Sequence, residues 1–343
     1  MRFCSRCGCC KGGLSSRHFL MQVGLLWGLW GLACMVSAAE LPVTLTETAD
    51  GVTVQVQNDL FTKYVLLSKT KPILWPIHGP DGVPLTRAWP LDKVEKETRD
   101  HPHHRSLWFT HGDVNGVDFW LEEGKDKQPG VIEHQGFDSV SSSTGTAPAR
   151  LVAKNIWKSP AGKVICQDVR ELAFSATDSQ RVIDFTITLS PVDAPVTFGD
   201  TKEGSFGIRV PDSMRVEAKL GGKIVNSQGQ VNGAAWGQAA EWVDYHGPAR
   251  FDTSADQTGG RYGIAILNHP DSFRHPTHWH VREYGLFAAN PFGLHDFTKQ
   301  PPGTGKHTLQ VGDHMKLRYR VILHRGDEQE AKIAEQYVKF KDE

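Results

Sequence analysis

From Pro42 onward, apolar and polar residues alternate with a period of two, the spacing that sends successive side chains to opposite faces of a β-strand. In Arg181 to Leu189 the apolar set is Ile183, Phe185, Ile187 and Leu189, and the polar set is Asp184, Thr186 and Thr188. In Met315 to Leu323, Leu317, Tyr319, Val321 and Leu323 oppose Lys316, Arg318 and Arg320. Val43 to Glu47 and Val52 to Val56 flank Asp50-Gly51, a pair that tolerates positive φ, so they predict a hairpin. Further strands are predicted over Phe61 to Leu67, Ser106 to Thr110, Arg150 to Trp157, Lys163 to Phe174, Phe206 to Val210, Lys223 to Val225, Gly263 to Leu267 and Gly285 to Ala289. One helix is predicted over Asp327 to Phe340, capped by Asp327, with Ile333, Ala334, Tyr337 and Val338 as its apolar stripe. Asp138 to Pro148, rich in Ser, Thr and Gly, reads as a surface loop.

At least twelve strands and one C-terminal helix make the chain all-β, and the count exceeds the seven to nine strands of an immunoglobulin-like module. The expectation is one large antiparallel β-sandwich over residues 40–343, with no repeat and no linker dividing it. A galactose-mutarotase-like supersandwich matches it best in size. That assignment is by analogy, because a jelly roll or two smaller sandwiches would show the same pattern.

Residues 1–39 break the alternation and have the layout of a signal peptide. Arg2, Arg6, Lys11 and Arg17 supply positive charge, Phe19 to Val36 is apolar and uncharged, and Ser37, Ala38 and Ala39 suit cleavage near Ala39. The alternative is an uncleaved anchor, since the run is close to the minimum for spanning a bilayer. A lipoprotein site at Cys34 is disfavoured by Gly31, and Ser16-Arg17-His18-Phe19-Leu20 leaves the Sec and twin-arginine routes both open. Cleavage would remove Cys4, Cys7, Cys9, Cys10 and Cys34, leaving only Cys166, so the apparent metal motif at the amino end would go with the signal. The expected location is periplasmic or extracellular, with no membrane span after cleavage. A net charge of -1 argues against nucleic acid or an acidic membrane surface as partner.

Of the 16 histidines, His101, His103, His104 and His111 fall in one short window, and His269, His275, His278 and His280 in another. Imidazoles concentrate where protons, metals or sugar hydroxyls are handled. Alternation along extended segments predicts that His101 and His103 share a face, and likewise His278 and His280. The plainer reading is that histidines satisfy loop backbones and stack on neighbours. His111-Gly112-Asp113-Val114-Asn115-Gly116-Val117-Asp118 predicts a tight polar loop in which Asp113, Asn115 or Asp118 orients a histidine or binds a hydroxyl, against simple Asx-turn scaffolding. It lacks the spacing and closing glutamate of a helix-loop-helix calcium site. Gly199 to Gly204 places Lys202 beside Glu203, where the lysine would keep the carboxylate ionised, or the pair is a solvated turn. Aromatic and ionisable residues interleave at Trp108, Trp242, Tyr245, Trp279, Arg282, Glu283 and Asn290, a composition suited to the flat faces and hydroxyls of sugars, although each tryptophan alone is more often core.

Trp75-Pro76-Ile77, Gly79-Pro80-Asp81-Gly82, His101-Pro102-His103-His104, His111 to Gly116, Asp200 to Gly204, His275-Pro276-Thr277 and Asn290-Pro291-Phe292-Gly293 occur in that order. Together they resemble an uncharacterised exported bacterial family whose members automated naming often calls "methane oxygenase PmoA family". The similarity spans nearly all of Val43 to Lys339. The methane-oxidising subunit that lends the name is a multi-span membrane protein, whereas the mature chain has no apolar run long enough to span and alternates with period two. The resemblance implies association with polysaccharide degradation and supplies no catalytic residues.

Three functions follow as expectations. The first is a carbohydrate-active enzyme acting by hydrolysis, elimination or epimerisation, with His103, His104, His278 and His280 as acid-base groups and Glu203 as partner carboxylate; Asp113 or Glu283 would be the second carboxylate of a hydrolase. The second is a metal-dependent enzyme using the alternating histidines. The third is a non-catalytic glycan-binding protein. No cofactor and no metal ligand is assigned, and the expected partner is a carbohydrate substrate.

Overall fold

The structure, a computed structural model, describes residues 39–123, 128–249 and 260–343. The expected signal segment, up to Ala38, lies outside the described residues. In chain order the strands begin with β1 (Val43–Thr48), β2 (Gly51–Val56), β3 (Asp59–Ser68), β4 (Lys71–Ile77) and β5 (Leu107–His111). Next come β6 (Val131–Ser141), β7 (Ala149–Lys158), β8 (Val164–Ala176), β9 (Gln180–Pro191), β10 (Val196–Phe198) and β11 (Gly204–Arg209). The last are β12 (Lys223–Asn226), β13 (Trp242–Pro248), β14 (Arg261–Asn268), β15 (His278–Val281), β16 (Leu286–Asn290), β17 (His307–Leu309) and β18 (Met315–Arg325). Two α-helices are described, α1 (Leu294–Thr298) and α2 (Ile333–Phe340).

These strands form two eight-stranded sheets, β1-β2-β3-β4-β5-β11-β16-β15 and β12-β13-β14-β18-β9-β8-β7-β6, with β10 and β17 as a separate pair. Every pairing is antiparallel. The chain is thus the large antiparallel sandwich that the alternation predicts. Its core lies between the sheets, where the Phe206 ring stacks on Tyr319 at 4.7 Å and meets Phe185 at 5.0 Å. Phe109 meets Trp157 at 6.2 Å, and Tyr245 meets Phe287 at 6.2 Å. Burying aromatic side chains of this size is worth about 1.5–3 kcal/mol each.

Alternation hides where both faces of a strand are buried. β5, β11 and β16 are buried at every residue, because loops cover the outer face of the first sheet. β13 is missing from the predicted strands for the same reason: Val243 and Tyr245 face the core, while the outward Trp242, Asp244 and His246 are also buried. β4 carries Pro72 and Pro76, which read as breakers, and β10, β15 and β17 are four residues or fewer. The segment Asp138 to Pro148 is a loop only in its later part, since β6 runs to Ser141 through two register shifts. The C-terminal helix is shorter than predicted and begins at Ile333. Asp327 accepts the amides of Gln329 and Glu330 in the preceding turn, and the packed stripe is Ile333, Tyr337 and Phe340, with Ala334 and Val338 exposed.

Inside the core one ion pair replaces apolar packing. Asp168 accepts from Asn155 Nδ2 and Trp157 Nε1, each at 2.7 Å, and from Arg170 Nε and Nη2 at 3.0 and 3.2 Å. Both charges are almost fully buried. Removing one partner leaves the other unpaired in a low-dielectric interior. Asp168→Ala is therefore expected to lower the unfolding free energy by about 3–5 kcal/mol, read from denaturant titration.

Candidate functional site on the outer face of the first sheet

Register lines up Trp108 (β5), Gly207 (β11), Ala288 (β16) and His280 (β15) in one row across the first sheet, all pointing away from the core. With strands about 4.8 Å apart, the Trp108 and His280 backbones stand roughly 14 Å apart. The Trp108 indole lies over Gly207, where an added Cβ would meet it at 2.7 Å. Glycine is required there so that the ring can lie flat. The face therefore has two walls, one at each histidine window.

At the first wall the segment before β5 folds back over the sheet. The His104 ring stacks on Trp108 at 5.3 Å, and His101 stacks on His104 at 4.8 Å and on Tyr284 at 5.1 Å. His104 and Tyr284 are 6.5 Å apart and parallel within 5°, so His101 lies across both. His103 meets His104 edge-on at 4.4 Å. The segment is held by Asp100, which accepts from Arg209 Nη2 at 2.9 and 3.1 Å and from Arg87 Nη1. Arg87 Nη2 also donates to the carbonyls of Asp100 and His101 at 2.9 and 3.1 Å. Burial pushes the Asp100 carboxyl up, but the guanidinium groups and His101 outweigh it and hold it well below the ordinary carboxylate range.

Arg209 Nη1 lies 3.2 Å from His104 Nδ1 and can only donate, so that nitrogen accepts and His104 is neutral. Burial, then the neighbouring His103 and Arg209, puts the His104 pKa well below its usual value. Burial, reinforced by Lys71, His101 and the two arginines, lowers His103 to about 3. Beneath them Lys71 Nζ donates to Glu122 at 2.7 Å and Arg105 Nε at 2.6 Å. Burial lowers the Lys71 ammonium to about 8 despite that carboxylate. Burial raises the Tyr284 phenol to about 12. His101, Arg209 and Arg282 all lie against its ring, so Tyr284 offers its hydroxyl rather than an open face.

At the second wall His280 Nδ1 donates to the Lys202 carbonyl at 2.8 Å, and burial lowers its pKa to about 4. His278 stacks on Phe297 at 6.0 Å, and Trp236 meets both Phe297 and His280. The Arg282 guanidinium is 5.7 Å from the ring of Trp236 and 5.7 Å from that of Tyr284, which connects the walls. It makes no ion pair among the described residues.

Residues 51–338 match a family of unknown function, DUF6807. The chain belongs to this family. The DUF6807 match carries no activity, and the methane-oxygenase label is not part of it. No curated relative matches the sequence. Among solved structures, an α-galactosidase, AgaB, from Geobacillus stearothermophilus is 13% identical with a TM-score of 0.37, covering 83% of this chain and 41% of that one. A β-arabinopyranosidase is 11% identical with a TM-score of 0.31, covering 83% and 38%. A polysaccharide lyase is 12% identical with a TM-score of 0.28, covering 85% and 34%. The chain thus spans about two fifths or less of their length, and the likeness is one of β-rich architecture.

Within this DUF6807 chain the predicted site residues divide. His103, His104, Trp108, Lys202, Glu203, His278, His280 and Arg282 converge on the outer face, with Glu203 paired to Lys202 at 3.3 Å. Asn290 holds the loop bearing them by donating to the Thr201 carbonyl at 2.9 Å. The others lie elsewhere. His111 alternates to the opposite face of β5, where it bonds the Gly199 carbonyl at 2.8 Å and packs against Phe292. Asp113 and Asp118 accept backbone amides of Gly116, Trp120 and Leu121, and Asn115 pairs with Thr197 and Pro195, so these three shape turns. Trp279 and Tyr245 face the core, and Trp242 lies under α2. Glu283 accepts the Gly233 amide at 3.1 Å. Reading residues by type missed Arg87, Asp100, Arg209, Trp120 and Trp236, and within Arg282-Glu283-Tyr284 it singled out the two charges rather than the tyrosine. The available signal was Arg209, a charge inside the apolar run Phe206 to Val210.

His104, His111 and His280 are neutral and buried in the folded state, and an unfolded imidazole titrates near 6.5. Their contribution to stability is complete above that pH and falls as acid protonates the unfolded chain, by up to about 1.4 kcal/mol per pH unit for each proton withheld. His324, raised by Asp244 against its burial, works the other way but is one group against several. The melting temperature is expected to drop by several degrees between pH 7 and pH 5 in a scanning calorimeter.

Proposed function

We propose that the protein acts on carbohydrate at this face, by moving a proton at a sugar carbon in an elimination or an epimerisation. The observation that carries the reading is that His103 and Tyr284 both pack on His101, the first kept neutral and the second protonated by burial, with the half-exposed Arg282, unpaired among the described residues, against the Tyr284 ring. Hydrolysis by two carboxylates needs one of them to carry a proton. Here Asp100 is locked ionised by Arg87 and Arg209, and Glu203 is paired to Lys202. The metal alternative has less support at this face, because among the described residues the one grouping of three metal-ligating side chains lies elsewhere.

The substrate suited to this face is an acidic sugar. Lys71, Arg87, Arg105, Lys202, Arg209 and Arg282 outnumber Asp100, Glu122 and Glu203. A uronate carboxylate beside Arg282 would be neutralised, which acidifies the adjoining C–H and stabilises the enolate formed when that proton leaves. Burial and then surrounding positive charge make His103 a weak base in the free protein. A bound anion offsets the second of these causes, so the base strengthens as substrate arrives. Tyr284 donates its proton to the departing oxygen in elimination, or to the opposite side of the carbon in epimerisation. His104 positions the wall through Arg209, while Trp236 and the His278–His280 wall supply flat surface. We also propose that the domain works outside the cytoplasm, on the strength of residues 1–39.

Incubation with uronate-containing and neutral polysaccharides tests this reading, following the ultraviolet absorbance of unsaturated ends, deuterium uptake from solvent and new reducing ends. Turnover is expected on the acidic polymers, with His103→Ala and Tyr284→Phe each lowering kcat by about 10²–10⁴. Activity confined to neutral glycans, or insensitive to both substitutions, would contradict it. Glycan bound and recovered unaltered would instead support the binding-protein reading.

A further inference from the structure

On the opposite side of the molecule, the outer face of the second sheet carries a second group of ionisable side chains. β13 directs Asp244 and His246 outward, and β18 directs His324 outward in the same row as His246. The strand between them, β14, places Gly263 opposite both His246 and His324. A Cβ on Gly263 would lie 2.2 Å from His324 Cε1 and 3.1 Å from the Cβ of His246. The missing side chain opens the slot through which the His324 ring reaches Asp244, with Nε2 2.7 Å from Oδ2. The other oxygen of Asp244 lies 2.6 Å from His246 Nδ1. Glu328, in the turn before α2, brings Oε2 within 3.5 Å of that nitrogen.

We propose that Asp244, His246 and Glu328 form a divalent-cation site of zinc type that fastens the C-terminal segment to the second sheet, with His324 orienting Asp244. One donor atom from each of the three lies within 4.8 Å of the others. Glu328 Oε2 is buried and has no hydrogen-bond partner among the described residues, while its side chain is only 9% exposed. Its other oxygen is 3.9 Å from Lys223, too far for a hydrogen bond, and receives a long 3.5 Å contact from Gln329 Nε2. A buried carboxylate oxygen without a donor is costly, and a cation in the cluster supplies the missing partner.

The spacing suits zinc. Tetrahedral bonds of about 2.0–2.2 Å put neighbouring donor atoms about 3.3 Å apart. The His246–Glu328 separation of 3.5 Å matches this already. The His246–Asp244 separation of 2.6 Å is that of two groups sharing a proton. Replacing the proton with an ion widens it by roughly 0.7 Å, within the reach of a χ rotation. An imidazole with two carboxylates, and no sulfur, favours zinc over copper(I), and the fourth position falls to solvent. The hydrogen bond from His324 is the outer-shell contact that ligating carboxylates ordinarily receive.

The experiment uses the folded protein purified without a histidine tag, stripped with chelator and dialysed against zinc. About one zinc per chain is expected by elemental analysis, with a melting temperature that climbs with zinc concentration as binding to the folded state requires. Glu328→Gln and His246→Gln should each weaken binding by at least about tenfold, while His103→Ala retains the ion. Cobalt substituted for zinc should give a visible absorption band in the parent and lose it in Glu328→Gln, a change that keeps side-chain size and shape. Less than a tenth of a zinc per chain, or binding unaltered in Glu328→Gln, overturns the proposal.

Discussion

A guanidinium buried at the middle of a β-sheet cannot stay unpaired, and Arg209 imposes that constraint on the first sheet. It projects from β11 on the face away from the core, where alternation leaves it no choice of side. Asp100 answers its charge, and Asp100 belongs to the long connection between β4 and β5. Arg87, from the start of the same connection, closes on the same carboxylate and on the two carbonyls beside it. The connection is thereby drawn across the sheet, and with it His101, His103 and His104. The geometry of the first wall is thus a consequence of charge compensation, and the aromatic stacking fills in around it.

The two sheet faces use small residues in the same way. Gly207 makes room for an indole to lie flat at one site, and Gly263 makes room for an imidazole to reach across strands at the other. Each glycine interrupts a strand pattern and reads in isolation as a weak point. Its value becomes visible only when the residue on the neighbouring strand is known.

That dependence on neighbours sets what could be read beforehand. The long strands β7, β8, β9 and β18 have one face in the core and one partly open, so their alternation is plain, and the sandwich class follows from them. Strands buried on both faces lose the contrast on which alternation relies: β5, β11 and β16 are still found as short apolar runs, whereas β13, with Asp244 and His246 among its buried residues, is missed. At the candidate site, type and clustering found the histidines and Arg282, because those residues are conspicuous in a chain of ordinary composition. Asp113, Asn115 and Asp118 were equally conspicuous, yet they bond their own backbone, which spacing alone does not distinguish from binding a hydroxyl. Asp100 and Arg209 acquire meaning only through a pairing more than a hundred residues apart, and Tyr284, although it stands in the conspicuous stretch with Arg282, only through its stacking on His101.

The position of β18 has a consequence for the order of assembly. It lies between β14 and β9 and is the element that joins β12-β13-β14 to β9-β8-β7-β6. A chain that emerges from its amino end therefore holds two half-sheets with unpaired edges until residue 325 arrives. Such edges accept any extended segment that meets them first. Insertion of one late strand closes both at once, so the gap between the half-sheets is the interval in which this chain is most exposed to mispairing.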